Sequence, residues 1–378
     1  MKLSNLQKRD TGSFMEIDYF DKKIDWKNWQ WHINNAIQNG EELRKYLKLN
    51  GEQHLALDKE YGAKIFITPY MLALLEAERE DGPLHKQFLP SAGKKQSIRF
   101  CDDILHEESI CVTPHLLHKY KNRVALLANS LCGNYCQFCT RQRIVRDNIG
   151  KNITHNLTKA LEYIKNNASI NDVLLTGGDP LLLKTEQLAG ILDILHSIEH
   201  VKIIRIGTRI PITLPMRIDE ELVSVLKRYS PLYINIHINH ASEITKQSED
   251  VILALANSGI PLGSQSVLLY GVNDNIDILR ELFEKLIQIK VKPYYLFQCD
   301  EVKGCENFIV NPLTGIKLIN DLCGLISGLA IPRYTIDTSD NFSKLTLAPC
   351  FIKEIKEEVL YINDGNGNIF SKKVNNIF

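Results

Sequence analysis

Three cysteines within eight residues, Cys132-Gly-Asn-Tyr-Cys136-Gln-Phe-Cys139, carry the most specific chemistry in this sequence. At this C-x3-C-x2-C spacing the thiolates can ligate one face of an iron–sulfur cluster, and a cubane held by only three of them keeps one iron free for another ligand. A zinc site and three unconnected core cysteines are the other readings. Zinc asks for a fourth ligand close by, and the residues at hand are Asn134 and Arg141 rather than a Cys or His. Further along, Gly177-Gly178-Asp179-Pro180 follows an apolar run. Glycines there let backbone come close to a ligand, and free N–H and C=O groups can bind an amino acid's charged ends, although a tight turn explains the same residues. Asp300 and Asp337 each end a strand-like run; two carboxylates facing one cavity raise each other's pKa unless a cation joins them, and turn residues are the plainer account. Lys344 stands in NFSKLTL, where a lysine is ordinarily a surface charge and by itself predicts no covalent chemistry. Arg123 presents the fork that suits phosphate oxygens, and its alternative is a surface arginine.

These residues need elements to bring them together. From about residue 120 short apolar runs alternate with amphipathic segments: VALLAN, DVLLTG, KIIRIGT, LYINIHI, SVLLYG and KPYYLFQ, with helices such as DEELVSVLKRY, capped by Asp219, between them. Continuous apolar runs read as strands buried on both faces, and the alternation implies parallel pairing with right-handed crossovers. The expected fold is α/β, a partial (βα)6 barrel whose strand ends carry the chemistry. The cysteines follow the first run and the glycines the second; His237 ends the fourth, Gln265 opens the fifth and Asp300 follows the sixth. Residues 1–118 read as a helical region with a polar linker, 119–310 as the barrel, and 311–378 as a C-terminal α+β segment carrying Lys344, with Asp-Gly in VLYINDGNGNIF as a hairpin turn.

Composition narrows the partners. Forty-five Lys and Arg against 45 Asp and Glu give no net charge, which removes the field that nucleic acid or an anionic membrane would need, so the expected ligand is small. No apolar run is long enough to span a bilayer, and the start lacks a secretion signal. Nine cysteines, odd in number and unevenly spaced, argue against a secreted disulfide framework; a cytoplasmic chain with reduced thiols is expected.

Taken together, CGNYCQFCTRQR, LLTGGDPLLL, RIGTRIPITLP, HINHASEIT, GSQSVLLYGVND and KPYYLFQCD make the chain resemble the radical S-adenosylmethionine enzymes and, within them, the lysine 2,3-aminomutase family, over most of its length. The resemblance implies a [4Fe-4S] cluster on Cys132, Cys136 and Cys139, and S-adenosylmethionine contacts at Gly177, Gly178, Asp179, His237 and Gln265. It also implies pyridoxal 5'-phosphate on Lys344, seven residues after Asp337, with Arg123 and Lys119 at the phosphate. Arg141 would hold the substrate carboxylate, and Asp300 and Asp337 the side-chain ammonium of a basic amino acid. The implied reaction moves the α-amino group of L-lysine to the β-carbon, with an electron from a carrier such as flavodoxin or ferredoxin. Arginine, or β-lysine supply for elongation factor P, is the neighbouring alternative; a cluster-bearing regulatory protein is the distant one. Two departures stand out: the family's glycine run before the lysine is here Thr338 to Ser343, and no cysteine follows Cys350, so a zinc-linked oligomer is not expected although copies could associate otherwise.

Overall fold

The strand–helix alternation is present and runs one strand further than the sequence pattern implies. A computed structural model describes residues 25–58, 64–91, 100–145, 157–338, 344–356, 359–363 and 369–373. Strands β1 (Cys111–Thr113), β2 (Leu116–Tyr120), β3 (Arg123–Asn129), β4 (Asp172–Gly177), β5 (Ile203–Thr208), β6 (Leu232–His237), β7 (Leu262–Leu268), β8 (Lys292–Gln298), β9 (Arg333–Ile336) and β10 (Leu345–Ala348) form one ten-stranded sheet in sequence order. All ladders from β3 to β9 are parallel. Those at the two ends are antiparallel. The expected strands are β3 to β8, and β9, from PRYTID, adds another parallel member.

Burial along these strands differs from the two-sided burial that continuous apolar runs imply. In β4 and β7 buried and half-buried positions alternate throughout. One set, including Val173, Leu175, Ile204, Ile206 and Leu268, joins the main core with helix residues such as Leu188 and Phe283. The other set, with Thr176, Arg205, Gln265 and Tyr295, is half-buried. The runs look continuous in sequence because Leu174 and Val267 also stand in the half-buried set, so an apolar pattern hides a face that is open.

The open face is the inside of a cup. Lys119 in β2 donates to the carbonyl of Thr338, beyond β9, and stands 3.6 Å from Asp337. The Lys344 backbone N–H donates to the Tyr120 hydroxyl at 3.3 Å. Residues from opposite ends of the strand order therefore touch, which the accumulated right-handed twist of a parallel sheet allows only if the sheet curls round on itself. The outer helices are ordinary amphipathic ones. Ile276–Gln288, capped by Asn275, buries Leu279, Leu282, Phe283 and Leu286, while Asp219 caps Glu220–Lys227 by accepting from the Leu222 N–H at 2.8 Å.

Short helices from Trp29–Asn34 to Pro83–Phe88 build a second core around Leu43, Tyr70, Met71 and Phe88. This region is laced to the cysteine loop. Ile67 bridges to Asn134, the Tyr135 N–H donates to the Phe66 carbonyl at 3.4 Å, and the Gln137 N–H donates to the Gln87 carbonyl at 2.8 Å. At the other end Ile352–Lys356, Val359–Asn363 and Ile369–Lys373 pair as a small antiparallel sheet; the hairpin forms, and its Asp-Gly turn lies outside the described residues. Among the described residues no helix is long and apolar enough to cross a membrane.

Candidate active site at the mouth of the cup

Cys132, Cys136 and Cys139 lie in the loop after β3, half-buried and outside any disulfide. The two polar residues nearest the cysteines in sequence, neither of them a fourth zinc ligand, are engaged elsewhere. Asn134 accepts from the Thr68 N–H at 3.2 Å, and Arg141 is paired with Glu107. Cys136 Sγ accepts a hydrogen bond from Arg209 Nη1 at 2.7 Å. A guanidinium donor suits a thiolate that carries charge, so this donor set fits an iron–sulfur cluster better than an inert core. Among the described residues no three His, Cys, Asp or Glu side chains gather round a single-ion site.

The glycines after β4 have a more local reason than an approach to ligand. A Cβ on Gly177, whose φ is +125°, would sit 2.4 Å from the Asn129 carbonyl oxygen, and one on Gly178 would sit 2.1 Å from that of Leu131. They let this loop pack directly on the chain that leads into the cysteines. Asp179 locks the arrangement: its carboxylate accepts from the Thr208 hydroxyl at 2.7 and 2.9 Å, from the Arg209 N–H at 2.7 Å and from the Leu181 N–H at 3.1 Å. Burial raises its pKa to about 6 despite these donors. What Asp179 offers a ligand is the backbone it fixes.

His237 and Gln265 are partners across the β6–β7 ladder. The His237 ring meets Phe138 of the cysteine loop edge to face, with centroids 5.4 Å apart. Burial, helped by the nearby Arg209 charge, lowers its pKa to about 3, so the ring is neutral, and its buried Nε2 has no hydrogen-bond partner. A buried ring nitrogen without a partner, packed on the cysteine loop through Phe138, fits a side chain that contacts a ligand there.

The second half of the mouth is ionic. Lys344 Nζ stands 3.0 Å from Asp337 Oδ2 and 4.2 Å above the Phe297 ring, which holds it over the open face of β8. The Tyr120 hydroxyl accepts from the Lys344 backbone N–H, and Arg123 stacks on its ring at 4.0 Å, so the chain at Lys344 and the Arg123 guanidinium meet at one aromatic side chain. The pKa of Asp300 rises to about 7, first through burial and then through Asp337, with Lys344 and Lys119 opposing. The two strand-end aspartates thus converge as the sequence implies, and no ion pair to Asp300 occurs among the described residues. Arg141 couples the two halves. It binds buried Glu107 through Nε at 2.9 Å and Nη2 at 2.7 Å and reaches Thr176 at 3.3 Å; burial alone would depress its pKa, and Glu107, with Cys139 and Asp337 adding to it, more than offsets that. Of the segment Thr338 to Ser343 that replaces a glycine run, residues 339–343 lie outside the described residues.

Two contributors were missed in sequence. Glu107 sits in the stretch that reads as a polar linker, yet it is buried, and no periodicity marks it. Arg209 could have been found, because it directly follows β5, where the strand-end rule already pointed.

Residues 129–283 match the Radical SAM superfamily, which sets the class. The chain is 38% identical to the L-lysine 2,3-aminomutase of Clostridium subterminale, covering 93% of this chain and 85% of that protein. Against the L-lysine 2,3-aminomutase of Acetoanaerobium sticklandii it is 40% identical over 87% of this chain and 80% of the relative. A glutamate 2,3-aminomutase of Clostridioides difficile is 34% identical, with 91% and 82% covered. The chain belongs to the lysine 2,3-aminomutase family and is a radical-SAM aminomutase, an isomerase. Its cofactors are accordingly a [4Fe-4S] cluster, S-adenosylmethionine and pyridoxal phosphate.

Proposed function

We propose that the substrate is L-lysine, interconverted with β-lysine, and that the carboxylate pair at the mouth selects it. The observation that carries this reading is Asp300, pushed up to about 7 beside Asp337 and without an ion pair of its own among the described residues. Such a pair favours a ligand bearing a side-chain ammonium. A side-chain carboxylate, as in glutamate, would meet two like charges there.

When bound, the cluster and S-adenosylmethionine supply the radical that takes a substrate hydrogen, and pyridoxal phosphate carries the migrating nitrogen. Cys132, Cys136 and Cys139 hold the cluster by three thiolates. Gly177, Gly178 and Asp179 present a rigid backbone edge beside it, and His237 and Gln265 offer side-chain contacts to S-adenosylmethionine. Lys344 is the covalent anchor for pyridoxal phosphate, with Arg123 and Lys119 for its phosphate. Arg141, already oriented by Glu107, takes the substrate carboxylate; Asp300 and Asp337 take the far ammonium. Fixing both ends of the substrate holds one β-hydrogen at a defined place, and much of the rate gain comes from that restriction. A low-potential cytoplasmic carrier such as flavodoxin or ferredoxin supplies the electron.

The test is anaerobic incubation of the reconstituted protein with L-lysine, L-arginine and L-glutamate in parallel, with separation of α- from β-amino acids. β-Lysine as the main product is expected. Turnover of glutamate but not lysine would end the reading.

A further inference from the structure

Arg209 has no part in the assignments above, and it is the most constrained charge in the mouth. Only 7% exposed, it donates through Nη1 to Cys136 Sγ at 2.7 Å and through Nη2 to Gln87 Oε1 at 2.7 Å and Glu243 Oε2 at 2.8 Å. The rings of Phe88 and Phe138 lie 4.5 and 5.4 Å from its centre. Glu243 is fully buried and held in turn: the backbone N–H groups of Asn239 and His240 each donate to Oε1 at 2.9 Å, and Gln87 Nε2 does so at 3.1 Å. The guanidinium is therefore held from the N-terminal region, from the loop after β6 and by two aromatic rings, with Nη1 aimed at the sulfur and the buried Nε–H left without a partner among the described residues. A structural salt bridge would be complete with Glu243 alone; the contact to sulfur is the unexplained one.

We propose that Arg209 is a positioning residue that sets the reduction potential of the cluster, through an N–H···S hydrogen bond to Cys136 whose geometry Glu243 and Gln87 maintain. The inference rests on the reading of Cys132, Cys136 and Cys139 as cluster ligands. The step concerned is transfer of one electron from a low-potential one-electron carrier to the cluster. The carrier is oxidised and the cluster reduced, no bond is made or broken in the protein, and no proton moves. Reduction adds one negative charge that spreads onto the ligand sulfurs. Hydrogen bonds to those sulfurs and nearby charge are among the levers that set such potentials. A buried cationic donor at the sulfur stabilises the reduced form more than the oxidised one, because water is not there to screen it. Glu243 lies on the other side of the guanidinium and opposes its field. The two residues should thus act with opposite sign.

Potentiometric titration of the reconstituted protein, read by the electron paramagnetic resonance signal of the reduced cluster, tests this, with iron content measured on each variant. Arg209→Gln is expected to lower the ratio of reduced to oxidised cluster at a fixed potential at least tenfold, a fall of about 59 mV for a one-electron couple. Arg209→Lys, which keeps the charge but loses the fork, is expected to fall less. Glu243→Gln is expected to move the other way. Because Arg209→Gln leaves Glu243 buried without its cation, the double variant Arg209→Gln/Glu243→Gln removes both charges, and its potential should still fall, since the charge beside the sulfur is the nearer one. Iron bound at full content with one potential across all variants would overturn the proposal, as would a fall in Glu243→Gln. A double variant that binds no iron would overturn it too, by making Arg209 a brace of the loop and no more. Absence of iron from the unmodified protein would instead remove the cluster reading on which the inference stands.

Discussion

Asp179 follows β4 and Asp300 follows β8, two strands of one cup, and both have carboxyl groups pushed up by burial, to about 6 and about 7. The likeness ends there. Asp179 accepts from a hydroxyl and two backbone N–H groups, all of this chain, and holds the glycine loop against the cysteine loop. Asp300 faces a second carboxylate and has no ion pair among the described residues. The same residue type at the same kind of position is in one case a structural clasp and in the other an unfinished binding site. A strand-end aspartate is therefore informative only once its donors are counted.

The sharpest way to break this contrast is to remove each carboxylate and ask what fails. Asp179→Ala leaves the Arg209 and Leu181 N–H groups and the Thr208 hydroxyl buried without an acceptor. At roughly 1–3 kcal/mol for each such group, the loss of folding stability should exceed about 3 kcal/mol, and iron uptake should fall with it because the cysteine loop loses its backing. Chemical denaturation and iron analysis read both. Asp300→Asn should behave in the opposite way. Folding stability should stay level or rise, since one of two repelling buried carboxylates is gone, while kcat/KM for lysine falls about 10- to 100-fold, the worth of one charged hydrogen bond of about 1.5–3 kcal/mol. An Asp300→Asn protein that unfolds readily yet turns over lysine normally would reverse the assignment of the two residues.

How far the sequence reached follows the same line. The cysteines, the parallel strands and the convergence of Asp300 with Asp337 were legible, because spacing and strand ends are local properties of the chain. The open inner face was not: Leu174 and Val267 make the runs look buried on both sides, and only the curl that brings Lys119 to Thr338 shows that one side faces a cavity. The reason for Gly178 was not legible either. Its missing Cβ makes room for the Leu131 carbonyl, a contact between two loops that no local pattern encodes. Gly178→Ala sharpens the point. With 2.1 Å where ordinary contact needs far more, the backbone must move, and a loss of about 1–3 kcal/mol is expected together with a disturbed iron site. Unchanged stability and iron content would mean that the two loops are less closely bound than their geometry implies.

The smallest expected effect separates the two carboxylates by pH alone. Asp300 carries a folded-state pKa of about 7 against a usual 3.8, so the folded protein holds this proton more tightly than the unfolded chain does. Its contribution to stability is then greatest on the acid side and declines as pH rises from about 4 through about 7. Binding of an ammonium-bearing substrate has the opposite sense, because it needs the ionised form. Below about 7 the dissociation constant for lysine should rise by up to tenfold per pH unit and level off above it, and Asp300→Asn should flatten that slope. Asp179 gives the control: its variants lower how much protein folds, but the pH slope of lysine binding in whatever folds should persist. A slope that survives Asp300→Asn would assign the titration to another group at the mouth and remove the carboxylate pair as the selector of the substrate.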